Sequence, residues 1–110
     1  MGRYDDIWGY LIAQRMLLET EYVVHFGKPF VWQQRNPHNL WKNLADELLG
    51  MENTIQFANA LLDAELGQGH HMEKLARLFE HLGGFDFVPP IVTEFGKAWC
   101  RDCESVLNSR

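Results

Sequence analysis

Several things are scarce in this sequence, and each scarcity narrows what the chain can be. No apolar run approaches the ~18 residues of a membrane span, and the first residues lack the apolar core of a secretory leader. MGRYDD also lacks the Ser or Thr that a myristoylation motif carries at its sixth position. There is no N-x-S/T sequon and no block of Lys and Arg, so the electrostatic footprint of a nucleic-acid binder is missing. A soluble chain, cytoplasmic by default, is expected, with no membrane and no nucleic-acid partner. Gly-rich phosphate loops, a G-x-S-x-G elbow and a D-x-D pair are likewise absent. Cysteine is limited to two residues, far too few for a disulfide scaffold.

What is present is an apolar fraction of 46%, four tryptophans and a net charge of −5 spread over 110 residues. That composition is globular rather than disordered. One helical domain over 1–110 is expected, large enough for a core without metal or disulfide.

Periodicity predicts a mainly α fold of four to five helices. Asp5 or Asp6 serves as N-cap of the first, and Trp8, Leu11, Ile12, Met16 and Leu18 form its apolar face. Gly9 and Ala13, four apart, leave a strip of small residues open to close approach. From Tyr22 the texture changes. YVVHF and FVWQQ, separated by GKP, read as a small two-stranded β element near residues 22–34. RNPHN is a loop, and His38 or Asn39 opens a helix carrying Leu40, Trp41, Leu44 and Leu48. Gly50 is a plausible interruption, so 40–63 reads as two helices or one kinked helix. HHMEKLARLFEHLGG is a helix with Met72, Leu75, Phe79 and Leu82 as its stripe and a Glu73/Arg77 pair at i,i+4. FDFVPPIV reads as an extended connection. Thr93 then caps a last helix with Phe95, Trp99, Cys103, Val106 and Leu107 inward.

Two constellations invite chemistry and decline it on spacing. AWCRDC contains C-x-x-C, but redox sites of that type need the first cysteine at a helix N-terminus, where its pKa falls. Cys100 lies well inside a helix, so both cysteines read as ordinary helical residues. His70 and His71 are adjacent, point to different sides of a helix and stand in no standard zinc spacing. No metal site is expected in the chain.

The polar set Arg3, Asp5, Asp6, Gln14, Arg15, Arg35, Asn36 and His38 remains. Each piece alone has a structural explanation: DD caps a helix and RNPHN makes a turn. Together, G-R-x-x-D-I-W, A-Q-R and V-x-Q-x-R-N-P-H-N resemble the STELLO family of glycosyltransferase-like proteins. The relatives of that family, the reversibly glycosylated polypeptides, carry a similar D-D-x-W. The matching residues are Gly2, Arg3, Asp6, Ile7 and Trp8, then Ala13, Gln14 and Arg15, then Val31, Gln33 and Arg35 to Asn39. Later stretches (DELLG, GGF, AWCRDC) fit more loosely, so the specific part of the resemblance ends at Asn39.

The resemblance implies a C-terminal piece of a larger GT-A-like protein, with Asp5 and Asp6 as the acidic motif beside the acceptor. One carboxylate would act as base or acceptor ligand, and Arg3, Trp8, Arg35, Asn36 and His38 would line the substrate cleft. The strands that carry nucleotide-sugar and divalent metal in complete family members lie upstream of such a motif. This chain begins at the motif, so no cofactor is expected in it. It is expected to be catalytically incomplete alone. The alternative is a small, non-enzymatic helical interaction or oligomerisation module in which DDIW is only a helix start. Either way the Trp8/Leu11/Ile12 face needs a cover. The remaining helices or another chain must supply it, and a homodimer, or a partner bringing the donor-binding half, is expected, in its simplest form an isologous contact along helix 1.

Overall fold

The computed structural model describes residues 4–34 and 37–109. Among them are four helices: α1 (Asp5–Leu17), α2 (Leu40–Asp63), α3 (His71–Leu82) and α4 (Pro90–Asn108). The mainly α expectation holds. The β element does not: no strand occurs among the described residues, and 21–34 runs as an irregular, exposed segment. Its β-branched and aromatic residues alternate as a strand would. A two-stranded hairpin without a third strand is marginal, and no strand among the described residues stands beside it. Tyr22, Val23, Val24 and Phe26 line a cleft of about 380 Å³ shared with α1 and α2.

α1 begins after Tyr4, whose side chain makes no cap bond, so Asp5 and Asp6 occupy the first turn rather than the cap. Carboxylates there still suit the positive end of the helix. At the other end Thr20 closes the helix: its hydroxyl donates to the Leu17 carbonyl at 2.8 Å and accepts from the Tyr22 amide at 3.1 Å.

α2 is a single helix of 24 residues. Asn39 caps it, its Oδ1 accepting from the Trp41 and Lys42 amides at 3.1 Å each. Gly50 does not interrupt it. The glycine is where α1 enters: a Cβ at Gly50 would stand 2.0 Å from Cγ of Tyr4. Missing side-chain volume, not a broken backbone, is its role.

α3 starts at a capping box. His70 Nδ1 accepts from the Met72 amide and Glu73 Oε2 accepts from the His70 amide, both at 3.2 Å. Leu75, Phe79 and Leu82 are buried and Met72 is half-buried, as the stripe predicts, and Leu78, outside the predicted stripe, is fully buried with them. Glu73 and Arg77 stand 3.8 Å apart.

The segment after α3 is turned, not extended. Phe85 N–H bonds to the Leu82 carbonyl and Val88 N–H to that of Phe85. Pro90 then occupies the first turn of α4, where a missing N–H costs nothing. The helix is also rotated from the expected face. Val92, Gly96 and Cys100 point inward, while Phe95 is 69% exposed and Trp99, Val106 and Leu107 are also exposed. The reason is Gly96: a Cβ there would meet the Phe79 ring at 2.4 Å, so the small 92/96/100 strip admits α3 closely. Bulk on 95/99 would hold the two helices apart.

The core thus gathers Trp8, Phe57, Leu61, Leu78, Leu82 and Cys100 from all four helices. No helix of the described residues is long and apolar enough to cross a membrane.

Candidate functional site

The DDIW motif divides at once into two environments. Asp5 and Asp6 are exposed on the first turn of α1. Each accepts the amide of the next residue, Asp6 N–H to Asp5 Oδ1 at 3.0 Å and Ile7 N–H to Asp6 Oδ1 at 2.8 Å. Trp8, two residues on, is only 2% exposed. Its ring stacks on Phe57 at 4.1 Å between centroids and 9° between planes, with Tyr4 edge-on at 6.5 Å. Its indole N–H donates to Thr54 Oγ1 at 3.1 Å, and Thr54 in turn donates to the Gly50 carbonyl at 2.6 Å. Such a tryptophan is a core residue. It has no free face for a substrate, so the expected role in a cleft is corrected.

Of the other expected cleft residues, His38 is exposed ahead of the α2 cap. Arg3, Arg35 and Asn36 lie outside the described residues. Asp5 does border a groove, of about 600 Å³, between α1 and α4. Its floor is apolar, with Ile12, Phe79 and Val92, and Phe95, Trp99 and Asp102 lie along the α4 side. Gly9 also faces it, and nothing lies within 4 Å of a Cβ at that position, so the small strip on α1 has no element packed into it.

Arg15, part of the A-Q-R match, does something sequence reasoning missed. Its Nε donates to the Leu61 carbonyl at 2.8 Å and its Nη2 to the Ala64 carbonyl at 3.0 Å. These carbonyls belong to the unsatisfied end of α2, so a cation there both fills acceptors and suits the negative pole. Nη1 pairs with Glu19 at 2.8 Å, and Glu19 also takes Lys74 of α3 at 2.7 Å. Hydrogen bonds from Lys74 and then Arg15 hold the Glu19 carboxyl down at about 2. The three charges lock the ends of α1 and α2 to α3. An i,i+4 Arg/Glu pair was legible in the sequence. The lysine, 55 residues away, was not.

Arg77 performs a similar service for the loop before α3, donating to the carbonyls of Leu66 and Gln68. Cys100 is buried, and burial first, then the neighbouring Cys103 and Glu104, pushes its thiol pKa up. That is opposite to what a redox nucleophile requires. Among the described residues no group of three or more His, Cys, Asp or Glu side chains is placed to hold a metal ion.

Comparison with family models, curated proteins and solved structures returned no match to this chain.

Proposed function

We propose that this chain is a helical association module, whose task is to hold another polypeptide surface rather than to carry out chemistry alone. One observation carries this reading. The chain exposes 8662 Å² of surface, against about 6,300 Å² for a compact monomer of its 12.8 kDa mass. The radius of gyration agrees, 16.0 Å against about 13 Å for a compact chain of this length. Large apolar side chains stand among the exposed ones, including Phe26, Phe30, Trp32, Trp41 and Ile55. Scattered apolar residues on a surface are normal; contiguous ones mark contacts.

The test pairs molar mass in solution with binding of an apolar dye. An association module is either larger than one chain or, as a single chain, bright with the dye. A chain that stays monomeric at every concentration and leaves the dye dark overturns the reading.

A second reading, the catalytically incomplete glycosyltransferase-like module that the resemblance implies, is favoured by the position of Asp5. An exposed carboxylate at the mouth of a groove edged by Trp99 and Asp102 suits an acceptor hydroxyl and an apolar sugar face. Asp5 and Asp6 would supply the acidic wall, and a donor-binding half, a nucleotide-sugar and a divalent metal would come from elsewhere. Thermal shift with a nucleotide-diphosphate-sugar panel, with and without Mn²⁺, tests it. The incomplete module alone responds to none of these donors, and its melting point rises with an acceptor sugar only while Asp5 and Asp6 are intact. An acceptor response that survives Asp5→Asn and Asp6→Asn removes the acidic motif from the site.

A further inference from the structure

We infer that α2 is one half of an antiparallel two-helix seam whose other half is α2 of a second copy of this chain; the inference rests on the association reading above. The observation is a second stripe on the helix. One stripe, Gly50, Thr54, Phe57 and Leu61, faces the chain's own core, where Tyr4 and Trp8 meet it. The other consists of Trp41, Leu44, Leu48, Met51, Ile55 and Leu62, with Ala58 filling the remaining position. Its spacing alternates strictly between three and four residues, the a/d repeat of a coiled-coil seam. It lies roughly a third of a turn round from the first. All six large residues are exposed, Trp41 at 83% and Ile55 at 77%. A helix that faced only its own core would carry one stripe, and solvent would take polar residues at 41, 48 and 55.

The second copy is favoured by what the stripe can be paired with. Among the described residues, the side-chain bonds and ring contacts tying α1 to α2 fall at Gly50, Thr54, Phe57, Leu61 and Ala64. The half of the stripe before Gly50 extends beyond these contacts, and the half after it lies alongside them. An antiparallel copy sets the first half of each stripe on the second half of the other, so both halves are covered by the same operation. That is the isologous contact of a two-fold dimer. The a/d alternation then matches Leu48 with the partner's Met51, Leu44 with the partner's Ile55 and Trp41 with the partner's Ala58. The largest residue of the stripe meets the smallest, as interdigitated layers require. Antiparallel helix dipoles add a favourable term. A stable interface takes about 800 Å² from each partner, and the six large side chains of the stripe, from Leu44 at 43% to Trp41 at 83% exposed, present apolar area of that order.

The experiment is sedimentation equilibrium of the full chain and of Leu48→Lys with Met51→Lys, each monitored for helix content by circular dichroism. The expected result is a mass twice 12.8 kDa for the wild type at tens of micromolar. The double variant is expected to be monomeric at the same concentration with helix content unchanged. Register is read by oxidative cross-linking of single cysteines in a Cys103→Ser background. Leu44→Cys mixed with Ile55→Cys should cross-link at least tenfold faster than either variant with itself, since two copies of residue 44 lie ~16 Å apart along an antiparallel seam in this register. Self-linking of Leu44→Cys at the faster rate overturns the antiparallel arrangement. A dimer indifferent to both lysines overturns the seam. A monomeric wild type that binds the apolar dye, and loses it in the double variant, overturns the second copy while leaving the association reading intact. A monomeric, dye-dark wild type overturns both.

Discussion

Trp8 and its two acidic neighbours stand within one turn of α1 and do unlike things. The indole is stacked, hydrogen-bonded and sealed, so Trp8→Ala should remove about 3–5 kcal/mol of stability, the range for large aromatics lost from a core. Asp5→Asn and Asp6→Asn should each cost at most about 1 kcal/mol, since exposed carboxylates at a helix start give no more than that. Urea denaturation of the three variants checks both statements. A loss under ~1 kcal/mol for Trp8→Ala would mean the stack on Phe57 is not formed. Thiol chemistry separates the two cysteines in the same way. Cys103 is half-exposed and should react with an aromatic disulfide reagent in the native state, whereas buried Cys100, its pKa raised, should react only on unfolding.

At the scale of elements, glycine decides how close the helices come. A Cβ at Gly96 would overlap the ring of Phe79, itself buried, and one at Gly50 would overlap Cβ and Cγ of Tyr4, the root of a side chain that cannot swing aside. Alanine gains about 1 kcal/mol of helix propensity over glycine in such positions. Overpacking typically costs 1–3 kcal/mol, and here the neighbour must move by more than an ångström. The overlap wins, and Gly96→Ala and Gly50→Ala should both lower the melting temperature. Unchanged or raised melting would show that the α3–α4 and α1–α2 crossings are looser than described. Gly9→Ala is the control, since space is open there, and it should stabilise slightly.

For the molecule as a whole, the Arg15–Glu19–Lys74 lock sets a pH dependence. The folded-state pKa of Glu19, about 2, lies below its ordinary value of 4.5. Between those values the unfolded chain binds more protons, so stability rises with pH across the window. The contribution is complete above about pH 4.5 and is lost as the pH falls through about 2. The stability gap between wild type and Glu19→Gln should therefore be widest above pH 5 and close toward pH 2. A gap constant over that range would remove the ion pairs from the ledger. Because the partly exposed pairs are screened, salt should narrow the gap as well.

Much of the helical layout is local and was legible. Asn39 before an apolar repeat, the 75/79/82 stripe and Gly83-Gly84 after it are decided within a turn or two of chain, by capping and periodicity. Helix faces were legible only where one stripe dominates, as in α3. In α4 the bulky 95/99 set and the small 92/96/100 set compete for the core. The choice falls to Phe79, a residue on another helix that needs the room of Gly96. Gly50 read as a breaker because its volume, not its backbone, is what matters, and Tyr4 is 46 residues away. YVVHF and FVWQQ have strand composition, but strands exist only against a neighbour, and the described chain offers them none. The same limit governs function. DDIW, AQR and RNPHN are patterns in sequence, and tertiary packing sends Trp8 inward, Arg15 to the end of α2 and the two aspartates to the surface. What the sequence determined by itself was the helical repeat and the starts of α2 and α3, because those are short-range effects; the cap of α1 falls on Tyr4 rather than Asp5 or Asp6, and α4 starts at Pro90 with Thr93 inside it. Which of two stripes is buried, and which is left for a partner, was decided only by the tertiary structure, because that choice is made by shape complementarity between residues distant in the chain.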